Sequence, residues 1–178
     1  MKKMISLLVV LALVLGVCAC ASAEDKTYQV GILQLIQHPA LDAATQGFKD
    51  ALTEKLGDKV VFDEGNASGD SNNCAQSAGQ LVSKQVDLIM ANATPAMLAC
   101  ATATADIPVL ATSITNYESA MEIELTGEGA TGINVSGTSD LAPLNGQAAM
   151  IKELFPDAKT VGLLYCNAEP NSRSGRCR

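Results

Sequence analysis

The residue types that most often perform chemistry in proteins are sparse in this sequence. His38 is the single histidine, and no spacing pairs it with a serine and an aspartate as a nucleophilic triad requires. Four of the six cysteines are too far apart to form the Cys-x-x-Cys pairs of a zinc site: Cys74, Cys100, Cys166 and Cys177. We therefore expect no enzyme activity, no metal and no cofactor. His38-Pro39 is interpreted as a helix cap or as part of a ligand loop.

One segment, Gly127-Glu128-Gly129-Ala130-Thr131-Gly132, has the spacing of a dinucleotide fingerprint. That fingerprint binds pyrophosphate only where it follows a strand and opens a helix. Here it precedes a predicted strand, Thr131 to Val135, so we interpret its glycines as turn residues. The charge balance excludes another class of partner, because a net charge of -7 repels the phosphates of nucleic acids.

The N-terminus predicts export. A basic start, Met1 to Lys3, precedes an apolar run from Ile5 to Val17, which is shorter than a membrane span. Ala21-Ser22-Ala23 fits a signal-peptide cleavage site, and Val17-Cys18-Ala19-Cys20 also fits a lipobox loosely, with Cys20 as the lipidated residue. Both alternatives stay open. Either one predicts a protein that is periplasmic or anchored to the outer face of the cytoplasmic membrane. Export would permit a disulfide, but we interpret Cys74 and Cys100 as small buried apolar side chains.

The elements that must position any site alternate between strand and helix patterns. Apolar runs predict strands beginning at Tyr28, Val60, Val86 and Ile107. A helix follows each of the first three, and the third starts at Pro95 with Thr94 as its cap. Because apolar runs without alternation suit strands that are buried on both faces, the sequence predicts an α/β fold: a Rossmann-like parallel sheet with helices on both faces.

The pattern changes beyond Ile114. Residues 116–131 are polar, and a helix opened by Ser139-Asp140 then precedes a last strand, Thr160 to Cys166. The apolar face of that helix is predicted to be Leu144, Ala148, Ile151 and Phe155. These patterns predict four regions: a signal at 1–23, a ligand-binding lobe at 24–116, a hinge or crossover at 117–137, and the truncated start of a second lobe at 138–178.

The loops after the strands form the predicted site, because ligands of open α/β sheets bind beyond the carboxyl ends of the strands. These loops are rich in hydroxyl and amide side chains and precede helix N-termini. Such a rim suits a small anionic group such as a carboxylate. Apolar residues in the same loops, including Leu41 and Ile114, are consistent with an apolar pocket.

From Tyr28 to about Ser172, the sequence resembles the ABC-transporter substrate-binding protein family that includes tryptophan- and tyrosine-type uptake proteins. The resemblance is carried by Val30-Gly31-Ile32, His38-Pro39-Ala40-Leu41-Asp42, Gly47-Phe48, Asp87-Leu88-Ile89-Met90-Ala91-Asn92-Ala93-Thr94, Ile107-Pro108-Val109-Leu110, Thr131-Gly132-Ile133-Asn134-Val135-Ser136-Gly137, Val161-Gly162-Leu163-Leu164-Tyr165 and Glu169-Pro170-Asn171-Ser172. It implies the type I periplasmic-binding fold, with two Rossmann-like lobes that close on a ligand. It also implies delivery of an aromatic or apolar amino acid to a membrane permease and an ATPase.

The resemblance further implies a set of ligand contacts. On the first lobe these are Asp42, Asn66, Thr94, Ser113 and Thr115. On the second lobe they are Ser136, Glu169 and Asn171. An acidic residue would face the ammonium of the amino acid, and hydroxyls would face its carboxylate.

The family pattern is lost at Arg173 to Arg178, so the resemblance also implies a chain cut short within its second lobe. Two alternatives to the transport receptor follow. One is a ligand-sensing module of the same fold, and the other is a fragment that binds nothing.

Overall fold

The computed structural model describes residues 26–127, 129–166 and 170–173. Its centre is a five-stranded, all-parallel sheet with the strand order β2-β1-β3-β4-β5. The strands are β1 (Tyr28–Gln34), β2 (Val60–Asn66), β3 (Leu88–Asn92), β4 (Val109–Ile114) and β5 (Val135–Ser139). The predicted α/β class and the parallel sheet are confirmed.

Five α-helices connect or follow the strands: α1 (Pro39–Leu56), α2 (Ser71–Ser83), α3 (Thr94–Ala103), α4 (Tyr117–Met121) and α5 (Leu144–Leu154). Two short 3₁₀ segments lie at Gly57–Lys59 and Pro170–Arg173. The ends of α1 were predicted correctly. His38 Nδ1 accepts a hydrogen bond from the N–H of Ala40 at 3.2 Å, and Gly57 ends the helix with a φ of 58°. His38 is therefore a helix cap.

Helices cover both faces of the sheet. A Cβ on Gly31 would lie 2.9 Å from Leu81 of α2, whereas Gln34 bonds to Thr45 of α1. Because positions 31 and 34 of a strand point to opposite faces, α1 and α2 lie on opposite sides. The main core is on the α2 side, where Leu33 and Ile89 are fully buried. Each such side chain contributes about 1.5–3 kcal/mol to folding.

The bounds predicted for the fifth strand were wrong. The strand expected at Thr131 to Val135 begins only at Val135 and runs to Ser139, parallel to β4. Thr131 Oγ1 donates to Val135 O at 2.5 Å, and Asn134 Nδ2 donates to Ile107 O at 2.7 Å. These side chains bond to backbone carbonyls ahead of β5, and the backbone bonding to β4 begins where the N–H of Val109 donates to Asn134 O at 2.9 Å. The polar segment after residue 116 also contains α4, which Asn116 caps.

The segment beyond β5 differs from the prediction as well. Ser139 does not open a helix, because it ends β5 and donates its hydroxyl to Thr115 O at 2.7 Å. The predicted helix begins at Leu144 instead, directly after Pro143, and none of its residues is buried. Residues 160–166 form no strand, since no neighbouring strand among the described residues offers them a ladder. No helix in the described part of the chain is both long enough and apolar enough to cross a membrane.

Candidate functional site

The carboxyl ends of four neighbouring strands bring a row of polar residues to one edge of the sheet. In the register of the strands, Gln34 lies beside Asn66 on one side and beside Asn92 on the other, and Asn92 lies beside Thr112. These positions end the apolar runs that predicted the strands. The edge opens into two cavities, one on each side of Gln34 and Asn92.

Most of the residues that line the first cavity, of about 310 Å³, are polar. It brings together two of the predicted ligand residues, Asp42 and Asn66, with Gln34, Gln37 and Gln46. Asp42 lies in the first turn of α1, where the helix dipole favours a carboxylate, and its Oδ1 accepts from Gln34 Nε2 at 2.6 Å. Asn66 Oδ1 accepts from the N–H of Ser68 at 2.9 Å. This cavity therefore presents two carboxylates among amides, Asp42 and Glu64, and Glu64 is paired with Lys49.

The second cavity, of about 320 Å³, lies at the N-terminus of α3. It brings together four of the predicted ligand residues: Thr94, Ser113, Thr115 and Asn171. The backbone N–H groups of a helix N-terminus and neutral hydroxyls suit an anionic group such as a carboxylate. This arrangement matches the chemistry predicted for the rim.

Thr94 does not cap α3, although the sequence predicted that it would. It is the first residue of the helix, and Ala93 before it has a φ of 86° and a ψ of 157°. The N–H of Ala93 is bonded to Thr112 O at 3.0 Å, which fixes this sharp turn to β4. Because Ala93 and not Thr94 occupies the cap position, the hydroxyl of Thr94 bonds to another partner.

That partner is Asn171, in the short 3₁₀ segment Pro170–Arg173. Its Nδ2 donates to Thr94 Oγ1 at 3.0 Å, and its Oδ1 accepts from the N–H of Asn116 at 3.2 Å. The side chain is 8% exposed. Asn171 therefore ties a segment from beyond α5 to the edge of the first sheet, across the mouth of the second cavity.

Ser113 has an unusual backbone conformation, with a φ of 58°. The register of β4 against β5 shifts between Ala111 and Ile114, so Ser113 lies in a bulge. Its hydroxyl donates to Asn92 Oδ1 at 2.9 Å. A serine in the left-handed region is uncommon, and such strain is often found at binding sites.

Three buried polar residues lie beneath the site: Gln34 and Asn92, which belong to the predicted rim loops, and Thr45, which the sequence analysis missed. They are 7%, 0% and 8% exposed, and hydrogen bonds join them to one another. Gln34 and Asn92 can be recognised in the sequence as polar residues at the ends of apolar strands. Thr45 lies in α1, and its bonds to these two residues depend on the tertiary structure.

Ser136 lies away from the other predicted contacts. It is in β5, where it is in register with Leu110 of β4. It lines a separate cavity of about 370 Å³ on the α1 face of the sheet, together with Phe48 and Met90. Two other predicted residues, Glu169 and Cys20, lie outside the described part of the chain.

The cysteines on α2 and α3 are buried, as predicted. Cys74 and Cys100 are both 0% exposed and are free thiols. Burial raises the pKa of Cys74, and it raises the pKa of Cys100 to about 12. Among the residues that the structure describes, no group of three or more His, Cys, Asp or Glu side chains could hold a metal ion.

Comparison with known proteins identifies relatives with the same architecture. A tyrosine-binding protein of Clostridioides difficile is 38% identical over 154 residues, which cover 84% of this chain and 44% of that protein. The crystal structure of an ABC domain in complex with L-Trp from Streptococcus pneumonia has a TM-score of 0.76 at 38% identity, covering 84% of this chain and 50% of the other. The ligand-free, open structure of a substrate binding protein with adhesive properties from Clostridium difficile has a TM-score of 0.69 at 36% identity, covering 84% and 51%.

The chain therefore spans about half the length of the relatives that it matches. The sequence profile described as ABC transporter substrate binding protein matches residues 29–176, which is most of the chain. The sequence profile and the relatives agree, and the chain belongs to the ABC transporter substrate-binding protein family.

Proposed function

We propose that this protein binds an aromatic amino acid, tyrosine or tryptophan, at the carboxyl edge of its sheet, and delivers it to the permease and ATPase of an ABC importer. The observation that carries the proposal is the second cavity, where Thr94, Ser113 and Thr115 surround the N-terminus of α3. The relatives named for tyrosine and L-Trp support the choice of ligand. The protein would bind and release its ligand without chemical change.

The site carries groups that suit both charged ends of an amino acid. Helix N–H groups and the hydroxyl of Thr94 at α3 favour a carboxylate, while Asp42 in the neighbouring first cavity adds a negative charge that favours a ligand carrying an ammonium. Asn66 would add an amide to the first cavity, and Asn171 would close the second from above. Glu169 and Ser136 remain proposed ligand contacts.

The location of this function follows from the leader. We propose that residues 1–23 direct export, either as a cleaved signal peptide or as a lipoprotein signal with Cys20 as the anchored residue. The protein would then capture its ligand outside the cytoplasm. Mass spectrometry of the exported chain distinguishes the two, because only lipidation adds acyl mass to Cys20.

Binding is tested by isothermal titration of the chain from residue 24 onward with L-tyrosine and L-tryptophan, with L-aspartate and L-lysine as controls. We expect binding of the aromatic amino acids only. Thr94→Val should weaken it about 10- to 100-fold, the equivalent of losing one hydrogen bond to a charged group. Thr102→Val is the matched control, since Thr102 lies at the other end of α3 and its hydroxyl donates to Leu98 O. Equal affinities for all four amino acids would contradict the proposal.

A further inference from the structure

A chain of hydrogen bonds runs beneath the edge of the sheet and joins the two cavities. Ser113 Oγ bonds to Asn92 Oδ1 at 2.9 Å, Asn92 Nδ2 to Thr45 Oγ1 at 3.0 Å, and Thr45 Oγ1 to Gln34 Oε1 at 2.6 Å. Gln34 Nε2 then bonds to Asp42 Oδ1 at 2.6 Å. The three inner side chains are buried, and the two outer ones each line a cavity.

Two backbone carbonyls fix the orientation of the amides in this chain. Asn92 Nδ2 donates to Leu41 O at 2.8 Å, and Gln34 Nε2 donates to Ile36 O at 2.9 Å. A carbonyl oxygen can only accept, so the nitrogen of each amide must face it. The oxygen of Asn92 therefore faces Ser113, and a flipped amide would place two acceptors against each other at Leu41.

The direction of every other bond follows. The Asn92 oxygen can only accept, so the hydroxyl of Ser113 must donate its single proton to it. Thr45 accepts from Asn92 and donates to Gln34, and the last donor faces the carboxylate of Asp42. All protons point from Ser113 towards Asp42, and such aligned bonds strengthen one another.

This direction decides what Ser113 can offer to a ligand. Its proton is committed to Asn92, so only its lone pairs remain for the cavity. Thr94, in the same cavity, has the opposite polarity. Asn171 Nδ2 donates to its oxygen at 3.0 Å, which leaves the Thr94 proton available to an acceptor.

We propose that Asn92 is a positioning residue that makes Ser113 an acceptor, so that Ser113 binds the ammonium of the amino-acid ligand while Thr94 and the N-terminus of α3 bind the carboxylate. This inference rests on the proposed function and assigns the polarity of its site. An ammonium has donors only, and a carboxylate has acceptors only. A carboxylate at Ser113 would have to break the bond to Asn92 and leave its buried oxygen unpaired.

The backbone of Ser113 is consistent with this role. Its φ of 58° is an uncommon conformation for serine, and it persists only where the surroundings hold it. The bond to Asn92, which is 0% exposed and tied to Leu41 and Thr45, is such a restraint. Asn92 therefore fixes both the direction and the place of the hydroxyl.

Titration of the full chain with three probes tests the polarity. L-tryptophan carries both charged groups, tryptamine only the ammonium, and indole-3-propionate only the carboxylate. Ser113→Ala should lower the affinity for L-tryptophan and tryptamine about 10-fold, and should leave indole-3-propionate within about twofold. Thr94→Val should lower the affinity for L-tryptophan and indole-3-propionate about 10-fold, and should leave tryptamine within about twofold. An equal loss for tryptamine and indole-3-propionate in Ser113→Ala overturns the inference while the proposed function stands.

If the unchanged protein binds none of the probes, the proposed function fails, and the ligand assignment fails with it. The role of Asn92 is tested by Asn92→Ala, which frees the proton of Ser113. We expect the affinity ratio of tryptamine to indole-3-propionate to fall about 10-fold. A residue with a merely structural role would lower both affinities alike, and that result would refute the positioning role.

A measurement without ligand covers the case in which Asn92→Ala does not fold. The side-chain amide protons of Asn92 and Gln34 should exchange slowly with solvent in NMR spectra of the unchanged protein. Ser113→Ala should shift the Asn92 amide signals and leave those of an exposed amide, Gln80, unchanged. Rapid exchange of the Asn92 amide, or no shift in Ser113→Ala, would show that the chain of bonds does not exist.

Discussion

Replacing Gly137 with alanine should separate β5 from β4. A Cβ at this position would lie 1.9 Å from Ala111 O and 2.5 Å from the hydroxyl oxygen of Tyr117. Both distances are far below any real contact of a Cβ, and the nearer atom belongs to the backbone of the neighbouring strand. The φ of Gly137 is 152°, which side-chain-bearing residues rarely adopt.

The cost has two parts. Holding a non-glycine residue in this backbone region costs about 1–3 kcal/mol. The added carbon also displaces the hydroxyl of Tyr117, which donates to Ala111 O at 3.1 Å and to Thr138 O at 3.3 Å. The hydroxyl has a single proton that the two carbonyls share, so its loss costs about 0.5–1.5 kcal/mol. Together we expect about 1.5–4.5 kcal/mol, a large share of the roughly 5–15 kcal/mol that stabilises a typical domain.

Urea unfolding followed by circular dichroism measures this cost. Gly79→Ala is the control, because Gly79 lies inside α2 and a Cβ there would meet nothing within 4 Å. We expect the control to gain about 0.5–1 kcal/mol from its lower flexibility in the unfolded state. If Gly137→Ala loses less than about 1 kcal/mol, the close packing of β5 on β4 described above is wrong.

Three further predictions concern other parts of the chain. Asn171→Ala should release the segment 170–173, which limited proteolysis should detect as faster cleavage there and unchanged cleavage elsewhere. Iodoacetamide should modify Cys166, which is exposed, in the native protein at pH 9, but Cys100, with a pKa of about 12, only after unfolding. A hydrogen bond from Lys26 lowers the pKa of Asp87 below 3.8. The unchanged protein should therefore be more stable than Asp87→Asn above that pH, and this difference should be lost as the pH falls through the lower pKa of the folded state. Urea midpoints of both proteins at pH 7 and about pH 2 measure the difference.

The sequence was sufficient where local patterns and burial agree. The strands β1 and β3 contain apolar runs that are buried over most of their length, and such runs are visible without tertiary information. The ends of α1 were equally readable, since Pro39 suits the first helical turn and Gly57 the left-handed exit.

The pattern misled where side chains compete with the backbone ladder. Thr131 and Asn134 lie in the segment that was predicted to be a strand. Their side chains bond to the carbonyls of Val135 and Ile107, and β5 begins only at Val135. The stretch from Thr160 to Cys166 has the composition of a buried strand, but a strand exists only with a partner. The composition of a segment indicates its tendency to form a strand, whereas the backbone hydrogen bonds of a sheet require a neighbouring strand.

The same distinction applies to the site. Parallel topology alone placed Asp42, Thr94 and Ser113 at one edge, because all the strands end there. Their chemistry could not be predicted in this way, since serine and threonine hydroxyls each both donate and accept. Asn171 occupies the lone pair of one hydroxyl, and Asn92 takes the proton of the other.

The division of the site into a donor side and an acceptor side therefore lies in residues that need not touch a ligand. Asn92 is held by Leu41 O, which is 51 positions away in the sequence, and its orientation passes to Ser113 through one bond. A substitution at Leu41 that moved its backbone would reach the ligand by the same route. For this reason, a change of ligand preference within such a site can come from buried amides as readily as from the residues that line it.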